Sequence, residues 1–426
     1  MRLGDICSKI GSGATPRGGK EAYSTSGIPI IRSQNVLDWS FSSNGLAYLN
    51  DEQAKTLSNV EVHQGDILLN ITGDSVARAC IVPSDVIPAR VNQHVAILRP
   101  KEKANATFIL AWLQTNKDLL LKLASSGATR NALTKRMLEG LDINLPSIDI
   151  QNHIAELISL IQSKINLNIK LNGYLEKLVS LEFSRRFKAS TPTIELGKVL
   201  SISTESIKPQ EHAGEIWEHY SIPAYDENRQ PLFELSDGIK SNKYAIDANC
   251  ILISKLNPAT KRIWMPSCTS EHSVCSTEFI VYKPKNPRYK SFYYAAIDSQ
   301  AFTDFLIAHV TGSTGSRQRT QPKATLTYPM PNPGHDAIEG FCAFADPIYK
   351  QIQSNKLESK WLVSLRDALL PKLMSGEIDV SKIDLTQLNS HLVQRDSVRS
   401  KPVDDVFLDQ SFSLRAGANI CSFTCR

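Results

Sequence analysis

Two long stretches of the chain keep apolar side chains three and four residues apart. From Ile150 to about Lys188 there is no proline and one glycine, Gly173. Apolar residues recur at Ile154, Ile158, Ile161 and Ile165, then at Leu171, Leu175, Leu178 and Val179. A second stretch, from about Asp336 to Met374, carries Ile338, Phe341, Phe344, Ile348, Ile352, Leu357, Val363 and Leu370. This spacing lays an apolar stripe along a helix, as a coiled-coil seam requires. Asparagines interrupt both stripes: Asn166, Asn168 and Asn172 in the first, Asn355 in the second. Buried in a seam they fix register at some cost in stability; facing solvent they do neither, and the pattern leaves both readings open.

Elsewhere the apolar runs are short and bounded by Gly, Asp, Asn or Pro. Ile28 to Ile31, Ile67 to Leu69 and Ile251 to Ile253 predict strands. Phe108 to Ala124 and Phe292 to Ala308 each predict one helix. The order of these elements repeats with a period near 190 residues, too long for a solenoid, so it predicts duplicated domains. Leu3-Gly4-Asp5-Ile6 is answered by Leu196-Gly197-Lys198-Val199. Gly65-Asp66-Ile67-Leu68-Leu69-Asn70 is answered by Ala248-Asn249-Cys250-Ile251-Leu252-Ile253-Ser254. Val95-Ala96-Ile97-Leu98-Arg99-Pro100 is answered by Phe279-Ile280-Val281-Tyr282-Lys283-Pro284. A small polar loop, Ser125 to Asn131, recurs as Gly312 to Gln318. A Pro-containing strand follows each loop, at Ile143 to Pro146 and at Tyr328 to Pro331, and a long helix follows each strand.

The expected fold is therefore mixed α/β (α+β): two similar globular domains separated by two long antiparallel helices. The boundaries are 1–149 for the first domain, 150–190 for the central helix, 191–335 for the second domain, 336–380 for the closing helix, and 381–426 for a polar tail. A helix of ~38 residues is ~57 Å long, and one turn of B-DNA is ~34–36 Å. Two such helices are long enough to separate two reading domains by more than a DNA turn, but they would scaffold another partner equally well.

Charge narrows the choice little. The net charge is +5. Residues 1–150 hold 16 basic against 14 acidic residues, a net of +2, and residues 191–335 hold 15 against 14, a net of +1. Nucleic-acid binding would then rest on local basic loops and polar base-reading groups, not on a polycationic surface. The eight cysteines are scattered with no CxxC pair, which fits reduced thiols in a cytoplasmic protein. Cys268, His272 and Cys275 lack a nearby fourth ligand, so no metal is expected. The opening residues lack the apolar core of a signal peptide, and no run of eighteen apolar residues predicts a membrane span.

No catalytic motif emerges. Asn257-Pro258, Asn286-Pro287 and Asn332-Pro333 do not continue into the Pro-aromatic ending of an amino-methyltransferase tetrad. Gly11 to Glu21 approaches a P-loop, but Ala14 stands where the first glycine belongs and Glu21 replaces Ser/Thr. HExxH and GxSxG are absent.

In this order and duplication the chain resembles the specificity subunit of type I restriction–modification systems, over roughly residues 1–380. The features that carry the resemblance are the opening Leu3-Gly4-Asp5, the stretch Gly13-Ala14-Thr15-Pro16, and the block Gly65 to Leu69. To these are added the Gly127-Ala128-Thr129 loop before a Leu-Pro strand, and Leu370-Pro371-Lys372-Leu373-Met374-Ser375-Gly376-Glu377-Ile378. The second copy has no matching Gly-x-Thr-Pro, and the tail after Ser381 matches nothing in the pattern. The resemblance implies a non-catalytic chain whose two domains each read half of a split DNA target, with the helices setting the spacer. It also implies docking to two methyltransferase subunits and to nuclease/translocase subunits. S-adenosylmethionine, ATP and magnesium would belong to those partners, with no cofactor in this chain. The alternatives are a stand-alone nuclease or methyltransferase with an unrecognised site, or a coiled-coil scaffold without a nucleic-acid role.

Base reading favours Arg or Lys against guanine and Asn or Gln against adenine. The candidates for DNA contact in the first domain are Arg17, Lys20, Arg32, Ser33, Gln34, Asn35, Asn70, Thr72, Asp74, Arg78, Asn92, Gln93, Thr129, Arg130 and Asn131. In the second they are Lys255, Asn257, Lys261, Arg262, Thr277, Arg317, Gln318 and Arg319. Trp39, Phe41, Trp217, Tyr220 and Tyr225 are expected to pack in core or loops.

Overall fold

The computed structural model describes residues 1–16, 18, 22–125, 131–187, 191–311 and 318–383. The chain divides into two compact units: Met1–Ile165 with Trp361 onward, and Asn166–Lys360.

In the first unit, eight strands build two sheets: β1 (Cys7–Ser12), β2 (Ile28–Ile31), β3 (Ala47–Leu49), β4 (Glu61–Val62), β5 (Ile67–Asn70), β6 (Ala79–Ile81), β7 (Ala89–Val91) and β8 (Val95–Pro100). Their orders are β1-β8-β5-β6 and β3-β2-β7-β4. The central β5 is buried on both faces, as its unbroken apolar run requires. One face of the first sheet packs on Phe108, Ile109 and Trp112 and on Ile154, Ile158, Ile161 and Ile165 of the first long helix. The same core takes in Leu362, Leu370 and Leu373 of the second long helix. Each fully buried apolar side chain of this kind is worth about 1.5–3 kcal/mol.

The second unit repeats the plan. Its strands are β9 (Thr193–Glu195), β10 (Leu200–Ser203), β11 (Ser206–Ile207), β12 (Ile216–Tyr220), β13 (Leu232–Leu235), β14 (Lys243–Ala245), β15 (Ile251–Ser254), β16 (Ile263–Trp264), β17 (Ser273–Ser276), β18 (Phe279–Pro284), β19 (Val310–Thr311), β20 (Arg319–Thr320) and β21 (Pro329–Pro331). One sheet runs β10-β18-β15-β16 and another β13-β12-β17-β14-β11. Strand for strand these are the two sheets of the first unit, with β11 added at one edge. The likeness extends to direction: β2 runs parallel to β7, and β12 runs parallel to β17. The duplication read from sequence is thus a duplicated topology.

The long helices span Ile148–Arg186 and His335–Ser375. Gly376, at φ +78°, closes the second one in the left-handed conformation that glycine adopts without strain. Within the first unit Arg366 donates to Gln162. Within the second, Asn168 meets Glu358 and Ser359, Asn172 meets Asn355, and Arg186 lies over the rings of Phe341 and Phe344. Rising numbers on one helix meet falling numbers on the other, so the pair is antiparallel there. Phe183, Phe187, Phe292 and Phe341 anchor it, with ring centroids 5.1–6.0 Å apart.

Several expectations change. Asn168, Asn172 and Asn355 are buried in the seam, whereas Asn166 is exposed. Leu171, Leu178 and Leu357, read as seam residues, are exposed at 38%, 47% and 49%. The two single helices are each two. Ala106–Thr115 stops at Asn116, whose side chain donates to the Trp112 carbonyl, before Lys117–Ser125. Lys290–Ile297 is followed by Gln300–Ala308, which Ser299 caps by accepting from the Phe302 N–H. Ile143 to Pro146 is not a strand: Ile143 exchanges hydrogen bonds with Met1 and only an isolated bridge, Arg2 to Asp142, forms beside it. Trp39, Trp217, Tyr220 and Tyr225 are buried in their units.

Candidate nucleic-acid interface

In each unit three loops meet at one corner of the sheet. In the first unit the turn after β5, the turn between β7 and β8, and the segment from Asn131 are joined by backbone hydrogen bonds. The Ile71 N–H donates to the His94 carbonyl at 3.0 Å, Gly73 to Asn131 at 3.3 Å, and Leu133 to Ile71 at 2.8 Å. In the second unit Lys255 donates to Glu278 at 2.8 Å, Asn257 to Gln318 at 3.0 Å, and Thr320 to Lys255 at 3.0 Å. The two sets correspond residue for residue in their hydrogen bonds: Ile71 with Lys255, Gly73 with Asn257, His94 with Glu278, Asn131 with Gln318. Gly73 and Asn257 share a left-handed backbone, at φ +75° and +47°, which glycine and asparagine tolerate best. Even the turn lock recurs, the His94 N–H donating to Asn92 Oδ1 and the Glu278 N–H to Ser276 Oγ.

The first corner takes in a fourth segment. Gly13 donates to the Val95 carbonyl and Ala14 to the Val91 carbonyl. A Cβ on Gly13 would lie 2.0 Å from the Val91 oxygen, so only glycine allows this approach. It brings Thr15 beside Gln93, to whose Oε1 its hydroxyl donates.

The candidate residues sort by what holds them. Thr72, Asp74, Gln93 and Asn131 gather at the first corner, and Lys255, Asn257, Thr277, Gln318 and Arg319 at the second. Asn35, Asn70 and Asn92 are buried, at 0%, 0% and 6% exposure. The Asn35 amide donates to the Ser42 and Asn44 carbonyls, and the Asn70 amide to the carbonyls of Ser33 and Val36 and to Ser75. These three are corrected to loop-holding residues, because a buried amide has no edge to offer a base. Arg32 donates to the Gly45 carbonyl and lies 5.5 Å from the Tyr23 ring, and Gln34 shares that carbonyl. Ser33 and Arg78 lend backbone groups to the same turns.

In the second unit, Lys261 pairs with Asp298 at 2.7 Å, and Arg262 grips Asp226 with two contacts of 2.6 and 2.9 Å. Arg319 reaches Glu278 at 3.0 Å. Lys255 donates to the Thr277 carbonyl at 2.6 Å, and burial lowers its pKa below the ordinary lysine value. Arg17, Lys20, Thr129, Arg130 and Arg317 lie outside the described residues. Thr15 and His94 were missed: the first stands in the Gly13 to Pro16 stretch, read from sequence only as a feature of the family resemblance, and histidine has no fixed place in the base-reading pattern.

Among the described residues, no cluster of His, Cys, Asp and Glu is placed to hold a metal ion, and no helix is long and apolar enough to cross a membrane.

Residues 1–177, which contain the whole first corner, match the model of the type I restriction modification DNA specificity domain. Over those residues the chain is similar to that specificity domain. The type I restriction–modification S subunit of M. genitalium is similar in structure at 14% sequence identity and TM-score 0.51, over 88% of this chain and 95% of that one. The HsdS subunit of Thermoanaerobacter tengcongensis matches at 15% identity and TM-score 0.32, over 89% of this chain and 96% of that one. The first likeness is one of fold, and the shared fold is that of a type I specificity subunit.

Proposed function

We propose that this specificity chain recognises a two-part DNA target, one part per unit, and directs partner methyltransferase and endonuclease subunits to it. The observation that carries the reading is the repeated corner: two units of one topology present equivalent loops, fastened by equivalent hydrogen bonds and lined with polar and basic side chains. Reading domains at 1–149 and 191–335, helical spacers at 150–190 and 336–380, and a polar tail at 381–426 complete the proposal.

Thr72, Asp74, Gln93 and Asn131 would face one half-site, and Lys255, Asn257, Thr277, Gln318 and Arg319 the other. Arg32, Ser33, Gln34, Arg78, Lys261 and Arg262 would flank them, and Arg17, Lys20, Thr129, Arg130 and Arg317 are proposed as further DNA contacts. Side chains of this kind position on phosphates and read base edges. The chain would work in the cytoplasm without chemistry of its own, beside two methyltransferase subunits and the nuclease subunits. S-adenosylmethionine, ATP and magnesium would act in those partners.

Duplex binding by the chain with its methyltransferase partner, titrated with salt, tests this. Phosphate contacts predict a log–log slope of about −0.9 per phosphate neutralised. An affinity that ignores salt, or no DNA binding with the partner present, would contradict it.

A further inference from the structure

Resting on the DNA-reading assignment above, we propose that Gln93 reads an adenine in the half-site of the first unit, with Thr15, His94 and Thr72 as its positioning residues. Gln93 is exposed at the tip of the β7–β8 turn, and its amide is held at both ends. The Thr15 hydroxyl donates to Oε1, and Nε2 donates to His94 Nε2 at 3.4 Å. His94 Nδ1 in turn donates to Thr72 Oγ1 at 2.6 Å. One histidine tautomer serves the whole chain of contacts: protonated at Nδ1 toward Thr72, unprotonated at Nε2 toward Gln93.

The amide still has capacity after these bonds. A carbonyl oxygen accepts twice and an NH2 group donates twice, so this exposed amide keeps one acceptor and one donor for a base. That adjacent pair matches adenine in the major groove, where N6–H donates and N7 accepts. Exposed glutamines ordinarily lose rotamer freedom on binding; here the relay has fixed the amide beforehand, which lowers that cost. The turn is braced from behind, because the His94 carbonyl is bound by Ile71 and its N–H by Asn92. The equivalent position of the second unit is Thr277, which has no amide, so the assignment belongs to one half-site.

Methylome sequencing of cells carrying the gene with its native partners tests this. The wild-type motif should hold an adenine that Gln93→Ala relaxes to other bases, the preference falling about 5- to 150-fold. Gln93→Arg should move the preference at that position to guanine. Thr72→Val, which removes the anchor of His94, should weaken the same position and no other. If Gln93→Ala abolishes methylation outright, selection from randomised duplexes by the purified complex supplies the same comparison. A wild-type motif unchanged in both Gln93 variants, or altered equally in both half-sites, overturns this inference alone. A wild-type methylome without a two-part motif overturns the specificity reading beneath it.

Discussion

Asn355 Nδ2 donates to Asn172 Oδ1 at 2.8 Å, and both side chains are buried between the long helices of the second unit. Asn168 completes the layer by donating to Glu358 Oε2 at 3.0 Å and to Ser359 Oγ at 3.3 Å. Leucine at such positions would pack more tightly but would accept several alignments, whereas paired amides fix one. Asn355→Leu alone strands the Asn172 carbonyl and should cost about 1–3 kcal/mol. Adding Asn172→Leu should recover part of that loss. A double-mutant cycle by thermal unfolding reads the coupling, and additive losses would contradict the pairing.

The carboxylate of Asp66 is fully buried and held by Arg99 through contacts of 2.7 and 2.8 Å, with the His63 N–H as a further donor. The hydrogen bond to Asp66 raises the Arg99 pKa above its ordinary value. Arg99→Met leaves that carboxylate without its cation and should destabilise the first unit by about 3–5 kcal/mol. Denaturant unfolding measures it; a loss under 1 kcal/mol would show that water replaces the guanidinium.

The sequence made the sheet strands legible where apolar runs were bounded by polar turns, as at Ile67 to Leu69 and Ile251 to Ile253. It also made the long helices legible, because three–four spacing over so many residues has no other reading. It could not place Asn35, Asn70 or Asn92 inside the fold. An asparagine that supports a turn and one that reads a base have the same composition and neighbours, and only burial separates them. Nor did spacing decide that Asn168 enters the seam while Leu171 and Leu178 face outward, since that depends on the partner helix. The corner itself joins Thr15, Thr72, Gln93 and Asn131, which lie far apart in the chain and meet only through long-range pairing.

Gly13→Ala should disable the first corner. Its Cβ would meet the Val91 and Asn92 carbonyl oxygens at 2.0 and 2.4 Å, and backbone on both sides limits relief. Overpacking of this kind costs about 1–3 kcal/mol or more. The expected outcome is a lower melting temperature and degraded recognition in one half-site, read by calorimetry and methylation. Wild-type behaviour in both would show that the loop moves freely.

His219 gives the second unit a pH dependence. Burial lowers its pKa below the usual 6.5, against the opposing pull of Glu234, whose Oε1 lies 2.7 Å from Nδ1. The unfolded chain therefore takes up a proton below about 6.5 that the folded chain resists. This contribution is present above pH 6.5 and is lost as pH falls toward the depressed folded value, by up to about 1.4 kcal/mol per pH unit. His219→Gln should flatten that part of the stability profile, and an unchanged slope between pH 6.5 and 5 would contradict it.

Methylome sequencing of cells with and without this gene tests the two-unit reading most directly. The predicted result is methylation, present only with the gene, at a motif of two defined half-sites separated by a gap of constant length. A single continuous motif, or a methylome that the deletion leaves unchanged, would contradict it.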